Sequence, residues 1–284
     1  MSEIRTDLAA EAREVHASLP GVIAREDMLH GFPVTRVEVQ TAEGAEKLGK
    51  PRGIYMTLSL DAYVRRREGA FGEACAAVAD CVRPMLPREG PILVAALGNE
   101  AVTPDALGPL TARQLCVTRH MLQSMPEAFR GFRPVACVAP GVLGITGIES
   151  AELIRGAAAH IRPACIVAVD ALAARSMHRL CSTVQITDAG ISPGSGVGNA
   201  RSAFSQDTLG IPVIAAGVPT VVDAGVLARE LLGDDAPTED GPSMIVTPRE
   251  IDVRIADMAK VIGYGLNLAF HEGIGIEDIE LFLS

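Results

Sequence analysis

The 284-residue chain is 48% hydrophobic but only 4% aromatic, has no Trp, and carries a formal net charge of −10. So acidic a balance argues against a direct nucleic-acid partner, which requires a basic face. A core of Ala, Val, Ile and Leu suits a parallel sheet covered by helices, and a chain this long buries roughly 75% of its extended surface.

The opening "MSEIRTDLAAEAREVHASLPG" is charged and lacks the apolar centre of a signal peptide. No uncharged apolar stretch reaches the roughly 18–20 residues of a membrane span. A cytoplasmic protein without a membrane partner is expected. The first 30 residues read as a charged helix and a loop. "PVTRVEVQ" (33–40) alternates and reads as a half-buried strand, and "RGIYMTLSL" (52–60) as a second. Helical spacing follows over 70–86. Then strands and helices alternate: strand 91–96, helix 109–124, strand 134–139, helix 149–161, strand 164–169. Strand 182–187 leads into a glycine-rich loop, and strand 211–216 into a helix over 220–232. The acidic stretch "GDDAPTEDGPS" (233–243) reads as exposed, and a long helix over 248–270 closes the body. This alternation predicts one α/β domain with a doubly wound, mostly parallel sheet and helices on both faces.

Two acids stand out, Asp105 in "VTPDALGP" and Asp170 in "VAVDALAARS", each following an apolar run. Open α/β sheets bind ligands beyond the carboxyl ends of their strands. Adjacent strands would bring the two acids together there. Paired carboxylates split their proton affinities, so one can activate water while the other protonates a leaving group. Equally, Asp105 could cap a helix and Asp170 could be a strand-end acid held by backbone amides.

The loop over 187–202 gathers Gly194, Ser195, Gly196, Gly198 and Asn199. It can line a cleft or make a tight turn. It matches neither the dinucleotide fingerprint nor the phosphate-binding loop, and Ser195 lacks the nucleophile-elbow pattern. "GVLGITGIES" (141–150) is a plain strand-to-helix link or a wall of the same cleft. Cys75, Cys81, Cys116, Cys137, Cys165 and Cys181 form no CxxC pair and read as reduced core residues. The six histidines show no metal-ligand spacing; His120 and His178 are the two to follow. No cofactor is expected.

Several stretches together resemble the germination protease family of endospore-forming bacteria. They are "VTPDALGP" (102–109), "FRPV…APGVLGITGIE" (132–149), "VAVDALAARS" (167–176), "PGSGVGN" (193–199), "TLGIPVIAAGVPTVVDA" (208–224) and "VTPREID" (246–252). The opening "RTDLAAEA" (5–12) is similar to the family's first segment. The resemblance implies an endopeptidase of the spore interior that degrades small acid-soluble spore proteins, a homotetramer, and a core similar to hydrogenase maturation proteases. It carries the catalytic acids onto Asp105 and Asp170. It implies a zymogen whose propeptide, residues 1–7, leaves a single peptidase domain over 8–284 after cleavage between Asp7 and Leu8. Without the resemblance, Thr6 or Asp7 reads as a helix cap with Leu8 onward helical; chain termini are also commonly mobile. Some members carry a long insertion where this chain has only 231–243, so the role of that insertion is in doubt here. Two other readings stay open: a metal-assisted maturation-type protease, and a non-catalytic α/β protein binding nucleotide or phosphate on the glycine-rich loop.

Overall fold

The computed structural model describes residues 6–14, 19–65, 67–195, 201–232 and 244–284. Nine strands form one sheet: β1 (Val22–Leu29), β2 (Phe32–Val39), β3 (Gly53–Ser59), β4 (Ile92–Ala96), β5 (Val135–Val138), β6 (Cys165–Ala174), β7 (Thr183–Thr187), β8 (Val213–Asp223) and β9 (Ile245–Val246). Their order is β1-β2-β3-β7-β8-β6-β4-β5, with β9 added on β8.

The sheet is mixed, which corrects the expectation of a mostly parallel one. Only the pairings β5–β4, β4–β6 and β6–β8 are parallel. The other pairings are antiparallel. The reason is local. β1 and β2 are joined by His30 and Gly31, both with positive φ (49° and 80°), the backbone that a two-residue hairpin turn demands. Sequence periodicity missed β1 because it is an exposed edge strand whose middle is Arg25, Glu26 and Asp27. Charge on an edge discourages pairing with other chains and hides the strand pattern.

Layers cover both faces. On one, Val94, Val167, Val169 and Ile186 pack against Ala74, Val78, Ile255, Ile262 and Leu266 of helices Ala70–Val82 and Ile251–Phe270. On the other, Leu93, Ala95, Ile166 and Ala168 pack against Ala151, Ile154 and Ala158 of helix Ser150–Ile161. Two short helices, Leu107–Ala112 and Arg119–Ser124, replace the single helix expected over 109–124. Asn267 explains the break: its amide accepts the Cys116 N–H (2.9 Å) and donates to the Gln114 carbonyl (2.8 Å), occupying groups a continuous helix would bond internally.

All six cysteines are free; Cys137 is half-buried and the rest are buried. Burial pushes the Cys116 and Cys181 thiols up to about 12, so neither offers a ready thiolate. Among the described residues, no helix is long and apolar enough to cross a membrane.

The N-terminal segment is not a loose tail. From Thr6 to Ala12 it is buried apart from half-buried Asp7, and a short helix begins at Ala9. Leu8 is fully enclosed by Leu172, Ala174, Leu180 and Val222. Burying one leucine contributes about 1.5–3 kcal/mol. Residues 1–5 lie outside the described residues.

Candidate active site

The parallel pairing of β4 and β6 runs from Ile92↔Cys165 to Ala96↔Val169. There β4 ends, and the Leu97 N–H makes a last bond to the Val169 carbonyl (2.8 Å). The next residue of β6 is Asp170. The sequence reading put Asp170 at a strand end; β6 in fact continues to Ala174, paired with β8. The end that matters belongs to β4. Where β4 leaves, one side of Asp170 opens, and the loop that follows brings Asp105 into the gap.

That loop is tightly wound. Gly98 has φ +110°, and a Cβ there would lie 2.0 Å from the Asp105 carbonyl oxygen, so only glycine fits. The Asn99 N–H donates to the Asp105 carboxylate (2.8 Å). The Thr220 hydroxyl, on β8, donates to the Pro104 carbonyl (2.7 Å). Asp105 sits at the end of a short 3₁₀ turn, Thr103–Asp105, and has no side-chain role in capping the helix that follows.

Asp105 and Asp170 line one cavity of about 380 Å³. Asp170 is 4% exposed; its carboxylate accepts the Ala171 N–H (3.0 Å). Its carboxyl is pushed well above the ordinary carboxylate value, chiefly by burial and then by the charge of Asp105, with a smaller contribution from Asp7. Burial also raises Asp105, opposed by the Asn99 N–H. Burial therefore opposes ionisation of both acids, more strongly for the enclosed Asp170 than for the half-buried Asp105. The cavity walls include Gly141, Val142 and Ser150, so the 141–150 link is a wall of this cleft.

Asp7 lines the same cavity. Its N–H donates to the Ala173 carbonyl (2.9 Å), and its carboxylate accepts the Ala173 N–H (2.8 Å) and the Ser195 hydroxyl (2.8 Å). Of the glycine-rich loop, Gly194 therefore lines the cavity and Ser195 holds Asp7; Gly196, Gly198 and Asn199 lie outside the described residues. A second cavity of about 890 Å³ opens on the far side of the segment, bordered by Lys50, Tyr55, Gln185 and Asp188.

Residues 1–234 match the family model described as germination protease. The chain belongs to the germination protease family. Three germination proteases show its relation to known members. That of Clostridium perfringens is 38% identical over the full length of both chains. Those of Bacillus subtilis and Priestia megaterium are 37% and 36% identical, each over 97% of this chain and 95% of theirs. These last alignments span 352 and 355 positions against 284 residues here, so both relatives carry segments that this germination protease lacks. The family makes it a spore germination endopeptidase.

Sequence reasoning missed the residues that hold the N-terminal segment. Glu11, 2% exposed, accepts the Arg175 and Ser176 N–H groups (2.7 and 2.9 Å), pairs with Arg179 and takes the Thr6 hydroxyl. The Lys50 ammonium donates to the Thr6 carbonyl (2.8 Å). The Gln185 amide bonds the backbone of Asp7 and Ala9. None carries a local motif, because each acts on a segment distant in sequence.

His120 and His178 are both exposed and neither lines the cavity. Among the described residues no cluster of three or more His, Cys, Asp or Glu could hold a metal ion. With no imidazole among the described residues lining the cavity, proteolysis is expected to survive exhaustive chelation. A rate lost on chelation and restored by one added metal would instead make Asp105 and Asp170 ligands.

Proposed function

We propose that this germination protease hydrolyses peptide bonds with Asp105 and Asp170 acting on water, and that its substrates are small acid-soluble spore proteins of the spore interior. The observation that carries the reading is that Asp105 and Asp170 line one cavity, where burial and the charge of Asp105 oppose ionisation of Asp170. Ionised Asp105 takes a proton from water as the oxygen attacks the peptide carbon. Asp170 gives its proton to the departing nitrogen. The pair titrates as a unit, so the roles belong to the singly protonated pair.

The chain is made as a zymogen that cuts itself between Asp7 and Leu8, and works as a homotetramer. The docking of Asp7 in the cavity supports the first part; the family resemblance supports the second. Among the described residues the metal-assisted reading has no histidine in the cavity lining to favour it. The phosphate-binding reading has Arg201 at the cavity, but the same lining carries four acidic residues, Asp7, Asp105, Glu149 and Asp170. Purified protein incubated with a small acid-soluble spore protein is expected to yield discrete fragments, each cut after an acidic residue and before an apolar one. Intact substrate after prolonged incubation, at neutral and mildly acidic pH, would sink the proposal.

A further inference from the structure

The bond between Asp7 and Leu8 is surrounded by donors and acceptors placed as if for a bound substrate. Lys50 donates to the preceding carbonyl; the Ala173 carbonyl accepts the Asp7 N–H, and the Ala173 N–H donates to the Asp7 carboxylate. The carbonyl oxygen of the bond itself, Asp7 O, accepts the Gln185 Nε2–H at 2.9 Å. The other end of the same amide, Gln185 Oε1, accepts the Ala9 N–H at 2.7 Å. Only this orientation of the amide satisfies both partners.

The sheet fixes this placement. Asp170 on β6, Gly217 on β8 and Gln185 on β7 are successive register partners. Their side chains share one face, since Val169, Val184, Ile186, Ala216 and Val218 belong to the core on the other. The middle position is a glycine over which the Leu172 side chain lies, 2.6 Å from where a Cβ would stand. Asp7 borders both the cavity that holds Asp170 and the one that holds Gln185. Gln185 is 6% exposed, so its N–H is shielded from competing water.

We infer that Gln185 is a further catalytic residue, whose side-chain N–H stabilises the oxyanion formed on the carbonyl of the bond being cut. The inference rests on the reading that Asp7–Leu8 is such a bond. In the step, the water oxygen bonds the carbonyl carbon and the C=O π pair moves onto oxygen. The water proton passes to the ionised aspartate. Gln185 transfers no proton; its hydrogen bond strengthens as charge develops. Collapse re-forms C=O, breaks C–N, and the leaving nitrogen takes the proton of the protonated aspartate. Donors aimed at a developing oxyanion are commonly worth about 10²–10³ in rate.

The test uses the full chain as wild type, Gln185→Ala and Gln185→Glu, each shown folded by its thermal transition. Intact-mass spectrometry follows the first-order appearance of the chain beginning at Leu8 over a pH series. The kcat and KM on a protein substrate are measured beside it. Both variants are expected to lose about 10²–10³ in rate, mostly in kcat. Glutamate keeps the acceptor for Ala9 but donates only when protonated, so its deficit is expected to shrink as pH falls. Variant rates within threefold of wild type would overturn the inference. So would a Gln185→Glu deficit that does not change with pH. If wild type cuts protein substrates but never itself before Leu8, the zymogen reading fails, and kcat on the protein substrate still decides for or against Gln185. If wild type cuts nothing, the proposed function fails and takes this inference with it.

Discussion

Asp105→Asn and Asp170→Asn are each expected to lower hydrolysis of a protein substrate by about 10²–10⁴ while leaving the chain folded. Asparagine keeps the shape of the side chain and can still accept the amide bonds from Asn99 and Ala171. It can neither take nor give the proton that the reaction moves. The two variants should differ in stability, and that difference tests the electrostatics separately from the rate. The folded-state pKa of Asp170 lies above its ordinary value of 3.8. The folded chain therefore binds the proton more tightly than the unfolded chain. Asp170 contributes stability that is fully present below about pH 3.8 and is lost as pH rises through the folded value. Asparagine has no such proton to lose. Melting curves over a pH series should show Asp170→Asn gaining on wild type as pH rises. Asp105→Asn removes the neighbouring charge that raises Asp170, so it should move the loss to lower pH. Near-wild-type activity in either variant would sink the two-acid mechanism. Equal pH slopes in wild type and Asp170→Asn would sink the assignment of the buried proton.

Much of the site was legible because strand-end chemistry leaves a local trace. An apolar run followed by Asp-Ala-Leu occurs at both acids, and parallel neighbours place such ends together. Gly141, Val142 and Ser150 of the 141–150 link likewise fall in the wall of the cleft. The sheet's handedness of pairing was less legible. β1 looks like a charged loop because its side chains face water, and β8 runs seven residues beyond the predicted end at 216 because the bond pattern, not hydropathy, sets its length. Asp170 was placed at the right edge for a partly wrong reason, since the strand that ends there is its neighbour. Gln185 was invisible. It stands in "TVQIT" as one polar residue on the open face of a strand, and only the docked N-terminal segment gives it a partner.

Full-length protein held at mildly acidic pH is expected to convert to a chain beginning at Leu8. The sequence "RTDLAAEA" places an acid before the bond and an apolar residue after it. The fold holds that bond in place instead of leaving it in solvent: Asp7, which lines the cavity, is pinned by Ala173 and Ser195, and Leu8 fills an apolar pocket. Acid favours the reaction on electrostatic grounds. Asp7, Asp105 and Asp170 share one small cavity, and both neighbouring charges oppose ionisation of Asp170. A lower pH favours retention of the proton on the pair that the mechanism uses. The docking contacts set the geometry, so Leu8→Asp, which would bury an unpaired charge, is expected to suppress conversion by at least tenfold. Sequencing the new N-terminus checks the site, and the same incubation with Asp105→Asn checks the agent. Conversion before Leu8 in wild type but not in Asp105→Asn would establish self-processing. Equal conversion in both would assign the cut to another protease, and an N-terminus elsewhere would show that the docked bond is not the one cleaved.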